Sequence, residues 1–447
     1  RGGDALAAAA GEPQHGEGQE AMSLLRGPAS LVNNLANADT QKASFIIVGG
    51  SLFTSAFLGT FVIPLLPEFR YKQGLSVYQT AAVFASFSLG ELTATPISVI
   101  LGGQIRCWML LAMSLLFLML YSITFMTTES AYGIIFTARF LGGIAASILR
   151  SASFDLVEET TTSSDRSQKN VVLYFCIAFG LTMGPLLGGS LAGDEAFVSA
   201  MLGAIVCAGL IGATFFFLRT DQVDLHKTEP VAPLLRNPTT LVTLATLALV
   251  GAVVSFAEVL LPLHLSFAFQ TSAAALGGLF MIVSIAYIFM ANLTAILSER
   301  IVQNGNKMLC LGLLGLTLSC LLLTAPSSLA VEVVPVLLLG ASASVINGSA
   351  LLRLVAPMTT DSGVLKTNQL SQLASLARAA GAVAGPVLFA IFSSLFELEY
   401  DGSAYAFGTL VLLAAGVLAY ILRKEEPDEE EAMLVPAIAD LQLQFTL

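Results

Sequence analysis

Apolar residues in this chain do not alternate with polar ones. They come in long runs, and the polar residues gather between them. A bilayer core about 30 Å thick is crossed by roughly 20 apolar residues of helix. Runs of that length lie near 43–66, 78–101, 107–126, 132–152, 171–193 and 196–218. Six more lie near 240–266, 273–297, 307–325, 333–353, 368–396 and 403–422. The pattern predicts twelve membrane-spanning helices with short connections. Strands of an outer-membrane barrel would alternate with a period of two, which these runs lack.

Composition agrees. Of 447 residues, 55% are apolar and 11% charged, with a mean hydropathy of +0.81. Soluble domains carry about 25% charged residues, so neither a string of soluble domains nor a disordered chain fits. The net charge is −11, of which −7 belongs to residues 1–42 and 423–447. The acidity is therefore mostly a property of the two tails, and the balance excludes nucleic acid as a partner. The expected organisation is a disordered tail 1–42, a six-helix bundle 43–218, a central loop 219–239, a second bundle 240–422 and an acidic tail 423–447. With twelve spans and the N-terminus in the cytoplasm, 16 of the 20 Lys and Arg fall on the cytoplasmic side. Opposite loops hold only Arg70 and Lys72, and Arg139 and Arg378 sit inside spans. This asymmetry predicts that both termini are cytoplasmic. The chain does not begin with Met, and no secretory signal precedes the first span. Glu20-Ala-Met-Ser-Leu24-Leu25 has the form of an acidic dileucine sorting signal, which leaves plasma and endolysosomal membranes both open.

The two halves repeat one another. Pro64 in Phe61-Val-Ile-Pro64 is matched by Pro262 in Val259-Leu-Leu-Pro262, Gly184-Pro185 by Gly385-Pro386, and Leu149-Arg150 by Leu352-Arg353. The offsets are 198, 201 and 203 residues. Internal repeats of this kind mark transporters whose two bundles rock about a shared site.

The strongest local motif is Gly180-Leu-Thr-Met-Gly184-Pro185-Leu-Leu-Gly188-Gly189. Gly180, Gly184 and Gly188 share one helix face, where a neighbouring backbone can approach closely, and Pro185 removes a backbone donor. The run resembles the fifth-span antiporter motif of the major facilitator superfamily, as found in its proton-coupled drug and vesicular-amine exporters. Arg139-Phe-Leu-Gly142-Gly143 resembles that superfamily's fourth-span motif, and Glu158-Glu159 with Asp165-Arg166 its acidic-then-Arg loop. The resemblance covers about residues 43–422. It implies an all-α membrane protein with twelve transmembrane helices in two pseudo-symmetric six-helix bundles. It also implies secondary active transport of a small organic solute by alternating access, first as exchange for protons. Proton symport or facilitated diffusion of a metabolite is the alternative. A transporter-shaped sensor or scaffold is the alternative from another class.

Two departures bear on this. The loop after span 2 reads Leu101-Gly-Gly-Gln-Ile-Arg106 and lacks the family's acid. Its second-half counterpart, Leu297-Ser-Glu299-Arg300 with Gly305-Asn-Lys307, keeps its charges as a gating loop. Span 1 lacks the acidic residue of many cation-exporting relatives, which argues against strict organic-cation export.

A charge inside a span costs about 2.5–3.5 kcal/mol on insertion scales and is a functional candidate by default. Four are present: Glu91, Arg139, Glu258 and Arg378. The resemblance implies that spans 1, 4, 7 and 10 line a central cavity, with Arg139 and Glu258 facing it. Glu91 and Arg378 would bridge the halves, or Glu258 would pair with Arg378. Apolar surroundings favour a neutral carboxylate and a nearby Arg an ionised one. Glu258 is therefore the expected proton carrier, its affinity switched as an Arg moves. Phe57, Phe61, Phe256 and Asn347 are candidate cavity walls. The five cysteines all fall in apolar runs and show no disulfide or metal spacing. No phosphate-cradling loop, metal cluster or catalytic triad is present, so neither an enzyme nor a cofactor is expected. The partners expected are a small solute, protons and the lipid bilayer, with the protein acting as a monomer.

Overall fold

The structure is a computed structural model. It describes residues 28–102, 105–126, 132–160, 163–191, 196–217, 237–296, 305–323, 329–355, 367–395 and 400–424. The regular elements among them are helical. The first half holds α1 (Pro28–Thr60), a 3-10 turn (Ile63–Leu65), α2 (Leu66–Gln73), α3 (Val77–Gly102), α4 (Cys107–Met126), α5 (Tyr132–Thr160), α6 (Ser163–Ser190) and α7 (Ala196–Phe217). The second half holds α8 (Pro238–Phe269), α9 (Ala273–Ile296), α10 (Gly305–Leu322), α11 (Leu329–Val355), α12 (Thr367–Leu395) and α13 (Tyr400–Lys424). Each expected span coincides with one helix, except that α1, the 3-10 turn and α2 together form the first.

Among the described residues, ten helices are long and apolar enough to cross a bilayer. The described apolar stretch of α7 is shorter, Leu202–Thr214. Helix α3 is not among the ten, and it carries Thr80, Ser86, Ser88, Glu91, Thr95 and Ser98. Several of these side chains line an internal cavity, so α3 buries polarity inward rather than facing hydrocarbon alone.

The matched prolines act differently. Pro64 sits where the first span breaks, between α1 and α2. Pro262 lies inside the continuous α8. The α2 segment ends at Gly74, whose φ of 60° is a left-handed helix stop that glycine adopts without strain. Lys72 pairs with Glu68 at 2.7 Å, and the Arg70 guanidinium lies over the Phe267 ring of α8 at 5.5 Å.

Helix packing repeats the sequence symmetry. In the first half α1 packs on α6, α3 on α5, and α4 on both α5 and α7. In the second half α8 packs on α12, α9 on α11, and α10 on both α11 and α13. The halves meet through α3 against α12 and α6 against α9, which is also a symmetric pair of contacts. Small residues make the closest approaches. A side chain at Gly90 of α3 would strike the Phe140 carbonyl of α5, and one at Gly340 of α11 would strike that of Val283 of α9, so the matched helix pair is tight in both halves, with the glycine on opposite partners.

Two apolar cores result. One lies within the first half around Leu58, Leu111, Leu115 and Tyr121, whose hydroxyl donates to the Leu58 carbonyl at 3.1 Å. The other fills the second half and takes in Ile63, Leu66, Val77 and Phe84 from the first. Those residues lie away from the side on which α1 begins and α13 ends, here termed the terminal side. On the opposite side, apolar packing thus seals the bundles together.

Candidate functional site

Between the bundles lies a cavity of about 460 Å³. Helices α1, α3, α5, α6, α8, α9, α11 and α12 line it, while α4, α7, α10 and α13 contribute no lining residue. The lining runs from Thr60, Ile63 and Pro185 toward Ser98, Phe154 and Ser371 at the terminal side. Its volume lies within the range of pockets that take one drug-sized molecule.

Among the described residues, five charged side chains of both signs face this space: Glu91, Arg139, Arg150, Glu258 and Arg378. Their pairing corrects the sequence reading. Glu91 does not bridge the halves to Arg378. Its Oε1 accepts from Arg150 Nη2 at 3.1 Å, within the first bundle. Close contact of α3 and α5 at Gly90 and Gly143 brings these two side chains together, and a Thr95–Ser147 hydroxyl contact of 3.0 Å follows along the same seam. Arg150 was legible in the sequence only as a basic residue at a span end. Its matching by Arg353 in the second half was the signal available.

Glu258 does not pair with Arg378 either: among the described residues no cation lies within ion-pair distance of its carboxylate. The charged groups that act on it electrostatically are Arg139 and Glu91. Arg139 is 3% exposed and lies over the Phe84 and Phe87 rings at 4.8 and 5.4 Å. Its Nε and Nη1 are buried and make no well-formed hydrogen bond, and the Tyr121 hydroxyl acts on the guanidinium from the first-half core. The aromatic faces supply part of what water would have given the cation.

Among the described residues, Arg378 has no carboxylate partner. Its Nη2 has one long contact, to Ser375 Oγ at 3.4 Å. Gln372, Ser375 and Arg378 share the cavity face of α12, and Gln372 Nε2 donates across the bundle interface to Ser151 Oγ at 2.7 Å. Arg378 and Arg150 both act on the Tyr174 hydroxyl, with Tyr287 beside it. Asn347 Nδ2 donates to Tyr287 Oη at 3.2 Å, and its Oδ1 is buried with no partner.

The aromatic walls are the other correction. Phe57 and Phe61 are buried in the first-half core and stack on each other. Phe256 lies between Phe407 and Phe389 in the second-half core. None of the three lines the cavity, because each points from its helix toward a bundle interior rather than the gap between bundles. Phe84, Phe87 and Phe280 line it instead, as does Asn347. Gly180, Gly184 and Gly188 press against the α1 backbone in the same bundle, whereas Gly189 meets Ala273 of α9 across the interface. Pro185 lines the cavity with its carbonyl close to Gly277. Glu299 and Arg300 lie outside the described residues, and Lys307 is exposed at the start of α10. The dileucine-like run, the central loop's 219–236 and the acidic segment after Lys424 also lie outside them. The side chains of Glu158, Glu159, Asp165 and Arg166 are likewise not described. None of the five cysteines is in a disulfide.

The family profile described as Major Facilitator Superfamily matches residues 48–363. The chain belongs to the major facilitator superfamily. Its helix pairing, its two bundles and the cavity between them are this superfamily's fold carried by this sequence. The chain is similar to multidrug resistance protein 2 of Bacillus subtilis (strain 168), at 26% identity over 203 residues. That match covers 42% of this chain and 49% of the relative, so the chain spans about half the length of the curated relative it matches. Among solved structures, a bacterial homolog of the human lysosomal transporter Spinster, inward-facing and unoccupied, superposes with a TM-score of 0.60 at 10% identity. It covers 92% of this chain and 98% of its own. The human organic anion transporter MFSD10 (TETRAN) superposes with a TM-score of 0.58 at 18% identity, covering 85% of this chain and 99% of its own. The protein is thus a multi-pass membrane protein of a transporter family.

Proposed function

We propose that this major facilitator protein is a secondary active carrier that moves a small organic solute by alternating access, coupled to protons through Glu258. The observation that carries the reading is a cavity between the two bundles holding a carboxylate with no cation, among the described residues, in ion-pair contact. Such a carboxylate can change its protonation without breaking a structural pair. Among the described residues, protonation removes the negative charge acting on Arg139 that is not already engaged by Arg150. That change alters the attraction between α8 and α5, which belong to different bundles, and so couples proton occupancy to rocking.

The resemblance of Gly180–Gly189 to the antiporter motif supports exchange of solute for protons as the first reading. The surplus of arginine over glutamate in the cavity favours a second, cotransport of the solute with a proton. The similar proteins named for multidrug resistance and organic anion transport both support a small organic solute. The Lys and Arg distribution supports cytoplasmic termini, and the protein acts as a monomer.

The test is flux in proteoliposomes under an imposed pH gradient. Wild type accumulates or expels solute according to the sign of the gradient, which separates exchange from cotransport. Glu258→Gln retains gradient-independent counterflow and loses the response to pH. A Glu258→Gln protein with undiminished pH-driven flux rules the proton role out. Ligand binding without any counterflow supports a sensor instead.

A further inference from the structure

Among the described residues, the cavity's charges do not balance. Three arginines face it, Arg139, Arg150 and Arg378, against two carboxylates, Glu91 and Glu258. Glu91 is engaged by Arg150 at 3.1 Å. This leaves two cations and one carboxylate, none in ion-pair contact among the described residues. Arg139 buries two nitrogens that make no well-formed hydrogen bond, with the Tyr121 hydroxyl acting on its guanidinium, and among the described residues Arg378 has only a long contact to a serine. A guanidinium in a low-dielectric cavity is stabilised by an anion that meets its fork, and an incoming cation would be repelled by the surplus. With Glu258 ionised the surplus is one positive charge, which a single carboxylate cancels.

The remaining lining describes the rest of the solute. Phe84, Phe87, Phe280 and Leu181 offer apolar and aromatic surface, while Asn347 presents a buried carbonyl oxygen with no partner. A donor on the solute would satisfy that oxygen. We infer that the cavity selects small organic monoanions with an apolar or aromatic body, the anionic group held at Arg378 and drawn inward by Arg139. This deepens the carrier reading by naming its solute class. It rests on that reading for transport, not on the direction of proton coupling.

The experiment uses the purified full chain and three molecules of one skeleton: 1-naphthoate, 1-naphthamide and 1-naphthylmethylamine, with the cyclohexane series beside them. Thermal unfolding is followed at millimolar concentrations. The acids raise Tm, and the amides and amines shift it less or not at all. Arg378→Gln weakens the response to acids by about tenfold or more. Arg378→Lys keeps the preference for acids at reduced affinity. Without ligand, Arg378→Gln melts no lower than wild type, because no native ion pair is lost, whereas a structural arginine would show a drop. Amines or amides that stabilise as well as the acids overturn the inference. So does a panel in which no acid stabilises, or an Arg378→Gln protein that answers acids like wild type. Flux of the same compounds in proteoliposomes separates the two readings. Amine flux without acid flux leaves a carrier and removes the anion selectivity. Acid binding without flux of any member keeps the selectivity and removes the carrier.

Discussion

Glu91 and Arg150 show how little a residue's position in a sequence says about its partner. Both were visible as charges, one inside a span and one at a span end, yet their contact depends on two glycines that let α3 and α5 touch. Their side chains are 19% and 34% exposed, so water within the cavity screens the pair. Either Glu91→Gln or Arg150→Gln is expected to lower stability by about 1–2 kcal/mol, below the cost of breaking a dry pair. The double variant should lose less than the two singles together, which a double-mutant cycle on unfolding reads directly. Arg139 belongs to another kind of environment, with ring faces in place of a carboxylate. Phe84→Leu removes one of those faces and is expected to cost about 1 kcal/mol, measured by the same unfolding assay.

At the scale of the element, glycine spacing was readable but its destination was not. The run Gly180–Gly189 promised a close helix contact, and the structure divides it between two neighbours. Three glycines seat α6 on α1 within one bundle, and Gly189 seats it on α9 of the other. A Cβ at Gly188 would collide with the Phe61 carbonyl, whereas one at Gly212 of α7 meets nothing within 4 Å. Gly188→Ala should therefore separate α6 from α1 and lower Tm, with reduced yield of folded protein. Gly212→Ala should be neutral or stabilise by up to about 1 kcal/mol, since helix propensity improves without a clash. Parallel melts of the two variants check this. The aromatic residues of α1 and α8 failed as cavity candidates for a related reason. Membership of a cavity-lining helix fixes the helix, but rotation about its axis decides which side chains face the space.

For the molecule as a whole, the two sides of the cavity are held by different forces. Away from the terminal side, Ile63, Leu66 and Val77 join the second-half core and close the bundles with apolar contact. At the terminal side, Gln372 donates to Ser151 across the gap at 2.7 Å. A hydrogen bond of this kind is worth about 1 kcal/mol net, or a factor of about five in a conformational equilibrium. Gln372→Ala should accordingly increase opening at the terminal side severalfold. A cysteine placed at Ser98, near that end of the cavity, should react faster with an impermeant maleimide in the Gln372→Ala background, and an unchanged rate would show that the bond does not restrain opening.

The apolar runs determined twelve helical segments and the all-helical class, because the bilayer sets the length of each run and hydrocarbon excludes charge from it, and the matched motifs showed the two-fold repeat. The rarity of intramembrane charge likewise picked out Glu91, Arg139, Glu258 and Arg378. Only the tertiary structure decided that Glu91 belongs to Arg150, that Arg378 meets neither Glu91 nor Glu258, and that Phe57, Phe61 and Phe256 serve the cores rather than the cavity. These depend on helix rotation and on close approach between backbones, which arise from contacts far apart in the chain. A linear pattern of hydrophobicity carries the cost of burying each group but not the identity of the group that meets it.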